Sequence, residues 1–152
     1  MLPSNITYRL LDVLYPDDAQ ALHQEIGDAN FYMMRPVSHQ LSPPDHATAI
    51  QSTERLLGAK GTLYLIELSS AAEPFFAQLN KQYGPPPGLA RVFQHTFTSG
   101  MVNENDLEVL FPPNRFTLLR IGPSHIHTVH TLPTGEVVKV PAFYAILRQR
   151  QN

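Results

Sequence analysis

The sequence predicts an α/β protein with a mostly parallel sheet that closes in a C-terminal antiparallel hairpin. Three observations carry this expectation. Residues 31–68 read as strand, loop, capped helix, glycine turn and strand, which is a parallel crossover unit. The second strand of that unit, TLYLIEL at 62–68, shows no polar alternation before Glu67, as a central strand buried on both faces would. The tail from 115 to 148 is β-rich and broken by Pro133-Thr134-Gly135, a hairpin turn.

In chain order, residues 5–13 (NITYRLLDV) alternate with Ile6, Tyr8 and Leu10 on one face, which predicts a strand closed by Asp12. Pro16-Asp17-Asp18 opens a helix with acids in its first turn, Ala19, Leu22, His23 and Ile26 recur at helical spacing, and Gly27 stops it. Residues 30–34 (NFYMM) form the next strand, which Pro36 breaks. Ser42-Pro43-Pro44-Asp45 hands an N-cap to a helix over about 45–57, with Ile50, Thr53, Leu56 and Leu57 inward and Gly58 and Gly61 at its end. A helix over about 72–83 has Phe75, Phe76, Leu79 and Tyr83 as its apolar stripe. It runs into Gly84-Pro85-Pro86-Pro87-Gly88, a stiff elbow too short to divide domains. Residues 88–103 are mixed. Asn105-Asp106 begins a short helix through Phe111. Residues 115–121 and 125–131 read either as two strands or as one strand bent at Gly122-Pro123, and 136–148 return antiparallel. No internal repeat or low-complexity tract occurs, and 1–152 reads as one domain.

The chain can bury a core of roughly two-thirds of its unfolded surface. Hydrophobic content of 43% with 16% charged residues fits a globular protein. A net charge of −2 argues against a general nucleic-acid binder, which would carry a basic face. No polybasic block addresses an anionic membrane, and the apolar runs are far shorter than the roughly 20 residues of a span. The N-terminus lacks a basic segment followed by an apolar one, so it is not a signal peptide, and the chain reads as cytoplasmic. With no cysteine, disulfides and thiolate metal sites are excluded. No P-loop, G-x-S-x-G or cysteine nucleophile is present.

The order of these segments resembles the C-terminal portion of a class I S-adenosylmethionine-dependent methyltransferase, over roughly residues 5–148. Residues 58–68 (GAKGTLYLIEL) are similar to that family's L-x-P-G-G-x-L-x-I-x-E segment, and residues 5–12 to its third strand, which ends in an acid. Arg35-Pro36-Val37-Ser38-His39-Gln40-Leu41 resembles the R-x-V-x-H-x-L loop of the small-molecule O-methyltransferases, with Gln40 where an Asp is usual. The terminal hairpin also matches. The resemblance implies a Rossmann-like methyltransferase sheet, S-adenosylmethionine as cofactor and a small-molecule acceptor, with neither nucleic acid nor membrane as partner. The family's glycine-rich cofactor turn has no counterpart among the 152 residues, because no G-x-G-x-G occurs. The resemblance therefore implies a truncated sheet missing its first βαβ unit. It also implies an orphan N-terminal strand that pairs in a homodimer or with a partner chain.

The resemblance assigns catalytic roles to His39, as base toward an acceptor hydroxyl, and Glu67, as the acid that orients it. It assigns cofactor contacts to Asp12 (adenine amino group), Met34, Arg35 and Pro36. Each has a plainer alternative. Asp12 reads equally as a loop acid or cap. His39 suits proton transfer near neutrality or a backbone hydrogen bond in a loop. Glu67 is either a partnered buried carboxylate or a solvated one beyond the strand. Met33 and Met34 read first as core filler, and Arg35 as an anion contact or a surface pair. His95 and Phe97 are placed near an acceptor pocket by position alone. His125 and His127 share a strand face and His130 opposes them, so a polar strand face is favoured over a metal site. Three hypotheses follow: an enzyme completed by another polypeptide or a swapped copy, a non-catalytic methyltransferase-derived binding or assembly module, and a truncated product.

Overall fold

The structure is a computed structural model and describes residues 7–28, 30–34, 41–84 and 102–151. In chain order the elements are α1 (Pro16–Ile26), β1 (Phe31–Met34), α2 (Pro43–Leu57), β2 (Thr62–Leu68), α3 (Ala72–Tyr83), a 3₁₀ turn (Glu104–Asp106), α4 (Leu107–Leu110), β3 (Phe116–Thr131) and β4 (Val137–Gln149). Each helix begins and ends where its chemistry allows. Pro16 and Pro43 stand in first turns, where a missing N–H leaves no hydrogen bond unmade. This is why α2 begins at Pro43 rather than at Asp45. Gly27, Gly58 and Gly84 close the three long helices, each donating its N–H back to the carbonyl four residues earlier.

The four strands form one sheet in the order β1-β2-β4-β3. The β1–β2 pair is parallel, whereas β2–β4 and β4–β3 are antiparallel. The expectation of a mostly parallel sheet is thus corrected to one parallel pairing among three. The cause is the place of the hairpin's return strand. β4 inserts between β2 and β3, so both of its ladders are antiparallel, while β1, β2 and β3 all point the same way. β3 is one continuous strand. Its irregularities fall between Leu118 and Arg120 and between His127 and Thr131, not at Gly122-Pro123. Gly122 instead makes room for the Tyr144 ring across the ladder, whose nearest atom a Cβ would meet at 2.8 Å. Pro123 faces the open side of an edge strand, where no ladder bond is lost.

Residues 7–13 do not form the strand that their alternation predicts. Tyr8 and Leu10 are exposed, and no described strand lies beside them. Alternation needs a sheet face to bury, and here a turn wins. The Asp12 carboxylate accepts from Leu14 N (2.9 Å) and the Asp12 carbonyl from Tyr15 N (3.0 Å). Arg9 is tied to Glu25 of α1 at 2.6 Å instead of to a neighbouring strand. The orphan strand is therefore absent over these residues, and β1 is one of the two edges of the described sheet.

Among the described residues, two clusters make the core. On one face Leu63, Leu65, Phe143, Ala145 and Leu147 pack with Ile50 and Leu57 of α2, Leu107 of α4, Phe111 and Phe116. On the other, Leu68, Val138 and Val140 pack with Ala72, Phe76 and Leu79 of α3. The buried side of β4 thus changes along its length, which lets one strand serve both layers. Ile50, Thr53, Leu56 and Leu57 are all buried as their spacing predicts, but Ile26 is exposed. α1 lies against α2, held by Ser52 Oγ donating to Val13 O (2.7 Å) and Arg55 to Asp17 (2.7 Å). Arg115 ties the start of β3 to Glu54 of α2.

The turn from α2 into β2 is built around Gly58. Its φ of 56° and ψ of −156° lie where only glycine is at ease. A Cβ there would also run into the Asp28 carboxylate and lie 2.6 Å from His23 Cε1. That carboxylate accepts from Lys60 N at 3.1 Å, so it is not free to retreat. Gly58→Ala is expected to destabilise the fold by about 2 kcal/mol or more, a Tm loss of roughly 4–8 °C. Gly27→Ala has the same backbone problem but open space around it, and should cost less. Thermal melts of the two variants check this; equal losses would contradict the close packing at Gly58.

Candidate functional site at the carboxyl ends of the strands

In open α/β sheets ligands gather where strands end and loops begin. Here β2 ends at Glu67-Leu68, and Ser69, Ser70 and Ala71 lead into α3. Glu67 lies on the face of Leu63 and Leu65, beside Phe143 in register, and its exposure is 0%. Of its two sequence readings, the solvated one is excluded. The carboxylate is part of the protein interior, where it must be met by polar groups or protonated.

Ser69 is buried and shapes the exit from the strand. Its N–H donates to Pro141 O (3.2 Å), its carbonyl accepts from Ala72 N (2.9 Å), and its Oγ accepts from Ala71 N (3.3 Å). Ser70 is clasped by Glu104. The Glu104 carboxylate accepts from Ser70 N at 2.8 Å and from Ser70 Oγ at 2.5 Å. Burial works against the Glu104 charge, but the bonds from Ser70 and from its own backbone outweigh it, and its pKa is lowered. Glu104 is aimed by a capping box. Asn103 Oδ1 accepts from Asn105 N (2.9 Å), and Asp106 Oδ2 accepts from Asn103 N (3.0 Å). Ser70 and Glu104 were not singled out from the sequence. The sequence marked only a helix start at Asn105-Asp106, and nothing local told that the Glu104 carboxylate reaches back 34 residues.

Asp12 stands at the turn ahead of α1, exposed, with Oδ1 occupied by Leu14 N and Oδ2 without a partner among the described residues. It is therefore a cap whose second oxygen remains open. Met34 ends β1. Arg35, Pro36 and His39 lie outside the described residues, as do His95 and Phe97. So Glu67 and the Ser70–Glu104 clasp share the exit of β2, whereas Asp12 lies on a separate segment, and no described bond links it to them.

Among the described residues, two clefts stand out elsewhere. One of roughly 660 Å³ is lined by Gln20, His23, Glu54, Arg55, Gln149 and Arg150, at the opposite end of the sheet. The other, roughly 480 Å³, lies between α3 and the hairpin, against Phe75, Leu79, Leu132, Val137 and Val138. On β3, His125 and His127 are exposed and His130 follows the irregularity. Among the described residues no three His, Asp or Glu are grouped to hold a metal ion, and no helix is long and apolar enough to cross a membrane.

The lowered Glu104 pKa has a definite pH signature. A depressed carboxylate contributes stability above its unfolded value of about 4.3 and loses it as pH falls through the lower folded value. Glu104→Gln is expected to lower the urea midpoint more at pH 7 than at pH 3. An equal loss at both values would show that the Ser70 clasp does not depend on charge.

No family model matches the sequence, and no curated protein matches it. Solved structures do. A SAM-dependent methyltransferase from Anabaena variabilis is 39% identical, with a TM-score of 0.83, over 97% of this chain and 60% of its own. A structure described as the conversion of a disulfide bond into a thioacetal group during echinomycin biosynthesis is 14% identical, with a TM-score of 0.59, over 95% of this chain and 56% of its own. A SAM-dependent methyltransferase from Methanosarcina mazei is 17% identical, with a TM-score of 0.52, over 80% and 58%. The chain spans about three-fifths of the length of these proteins, and the last two likenesses speak to fold alone. The fold of this chain is that of the class I S-adenosylmethionine-dependent methyltransferases.

Proposed function

We propose that this chain takes part in S-adenosylmethionine-dependent methyl transfer to a small-molecule acceptor and supplies the acceptor side of that site. The observation that carries this reading is the buried Glu67 at the exit of β2, in a chain 39% identical over 97% of its length to a SAM-dependent methyltransferase. On this reading Glu67 orients the acceptor machinery and His39, five residues after β1 in the sequence, takes the proton of an acceptor hydroxyl. Holding nucleophile and methyl donor in line would supply most of the rate. The open Asp12 Oδ2 fits the amino group of the adenine end. Met34, Arg35 and Pro36 would line the methyl-bearing side.

The described residues fit the cofactor at that one end. No glycine-rich turn occurs in the sequence to bring backbone N–H groups to the rest of it. We therefore propose that a further polypeptide segment, from a partner chain or a swapped copy, completes the site along β1. That strand is an edge of the described sheet, yet its sequence, FYMM, has no charge or proline to blunt it. The same open edge also supports a second reading, a methyltransferase-derived binding or assembly module without catalysis. In either case residues 1–152 act as one domain.

Calorimetric titration with S-adenosylhomocysteine separates these readings. The chain alone is expected to bind on the order of millimolar. A fusion to the unmatched two-fifths of the Anabaena protein is expected to bind on the order of micromolar, and Asp12→Ala in that fusion to weaken it by roughly tenfold. A folded fusion that fails to bind at millimolar ligand would overturn the methyl-transfer reading and favour the module.

A further inference from the structure

The polar cleft at the end of the sheet opposite the exit of β2 has walls on three elements. Gln20 and His23 of α1 line one, Glu54 and Arg55 of α2 the second, and Gln149 and Arg150, where β4 ends, the third. Several bonds fix these walls to one another and to their surroundings. Arg55 donates to Asp17 at 2.7 Å, Arg115 pairs with Glu54, and His23 lies 3.6 Å from Asp28. Gln151 Nε2 donates to Ala59 O (2.7 Å), and the Arg150 backbone N–H donates to Arg115 O (2.7 Å).

Three lining groups are left over. Among the described residues, none bonds the side-chain amides of Gln20 and Gln149, both half-buried, or the Arg150 guanidinium. The charges of Arg55 and Arg115 are each met by a carboxylate, so Arg150 is the uncompensated cation of the cleft. A guanidinium presents a fork of N–H donors that the two oxygens of a carboxylate match. Each glutamine amide adds two donors and an acceptor oxygen, which suit hydroxyls and amides. The cleft, at roughly 660 Å³, has the size of a small-molecule site.

We propose that this cleft binds a small monocarboxylate whose other polar groups are hydroxyls or amides, with Arg150 holding the carboxylate and Gln20 and Gln149 the uncharged remainder. The lining also sets what is refused. Glu54, although paired, repels a second negative group, and no further unpaired cation lines the cleft to offset it. Dicarboxylates and phosphomonoesters are therefore disfavoured. An ammonium group finds no unpaired carboxylate there, so zwitterions are disfavoured as well. The site binds its ligand without transforming it, because His23 and Glu54 are each engaged in a pair. This inference is independent of methyl transfer, which the opposite end of the sheet would serve.

Nitrogen–proton correlation spectra of the full chain test it, titrated at constant ionic strength with three probes: glycerate, D-gluconate and N-acetyl-L-glutamine. At least one is expected to shift the side-chain signals of Gln20, Gln149 and Arg150, with half-saturation on the order of 1 mM. The uncharged primary amide of the same acid should bind at least roughly tenfold more weakly. Arg150→Gln should weaken the acid to the same extent while leaving the thermal midpoint unchanged, since the guanidinium has no partner to lose. Arg150→Lys, which keeps the charge without the fork, should fall between the two. No shift at these groups with any of the three probes up to about 50 mM would overturn the proposal. So would equal binding of acid and amide, or binding indifferent to Arg150→Gln.

Discussion

The insertion of β4 between β2 and β3 is the constraint on which the other features depend. It is a covalently short hairpin return, yet it pairs on both sides. Residues 142–148 meet β2, and residues across the full strand meet β3. Without β4, β3 would have no partner and β2 would keep only the four-residue β1. The burial of β4 follows from this double duty. Its second half, with Phe143, Ala145 and Leu147, closes over α2 and α4, while Val138 and Val140 in its first half receive α3. Leu63, Leu65 and Leu147, all essentially buried, each carry roughly 2–5 kcal/mol against truncation to alanine. Their ladders therefore hold the region around Glu67 rigid.

That rigidity gives the carboxyl end of β2 its character. Glu67 is held by the strand, not by a loop, and a carboxylate at such a place has little freedom to find solvent. The backbone beyond it is turned by Ser69 and then clasped through Ser70 to Glu104, whose own segment is set by a capping box. A site built on a strand end with a loop tied over it is preorganised in the sense that catalysis needs. The polar cleft at the other end of the sheet, though roughly 660 Å³, is assembled from side chains of α1, α2 and the chain terminus and has no such support.

Much of this was legible in the sequence, and the failures share one origin. Helical spacing placed α1, α2 and α3, and the unbroken apolar run of 62–68 marked β2 as central, because these signals are local. Pairing is not local. Alternation at Ile6, Tyr8 and Leu10 predicted a strand, but a strand exists only with a neighbour, and the Asp12 turn took those residues instead. Likewise the hairpin was visible at Pro133-Thr134-Gly135. That its return strand enters the sheet interior and makes both of its ladders antiparallel was not. At the site, Glu67 stood out as the one charge in an apolar run. Ser70 and Glu104 stayed hidden because their contact spans the whole segment between α3 and the 3₁₀ turn.

The most direct test of the account is to map, by amide chemical-shift changes, where S-adenosylhomocysteine at millimolar concentration touches the isolated chain. The account predicts that the shifts gather at the carboxyl ends of the strands, at Asp12, Glu67 and Ser69–Ser70, and spare His23, Gln51 and Arg150. Shifts centred on that polar cleft, or none at all, would contradict the assignment of the ligand site to the exit of β2.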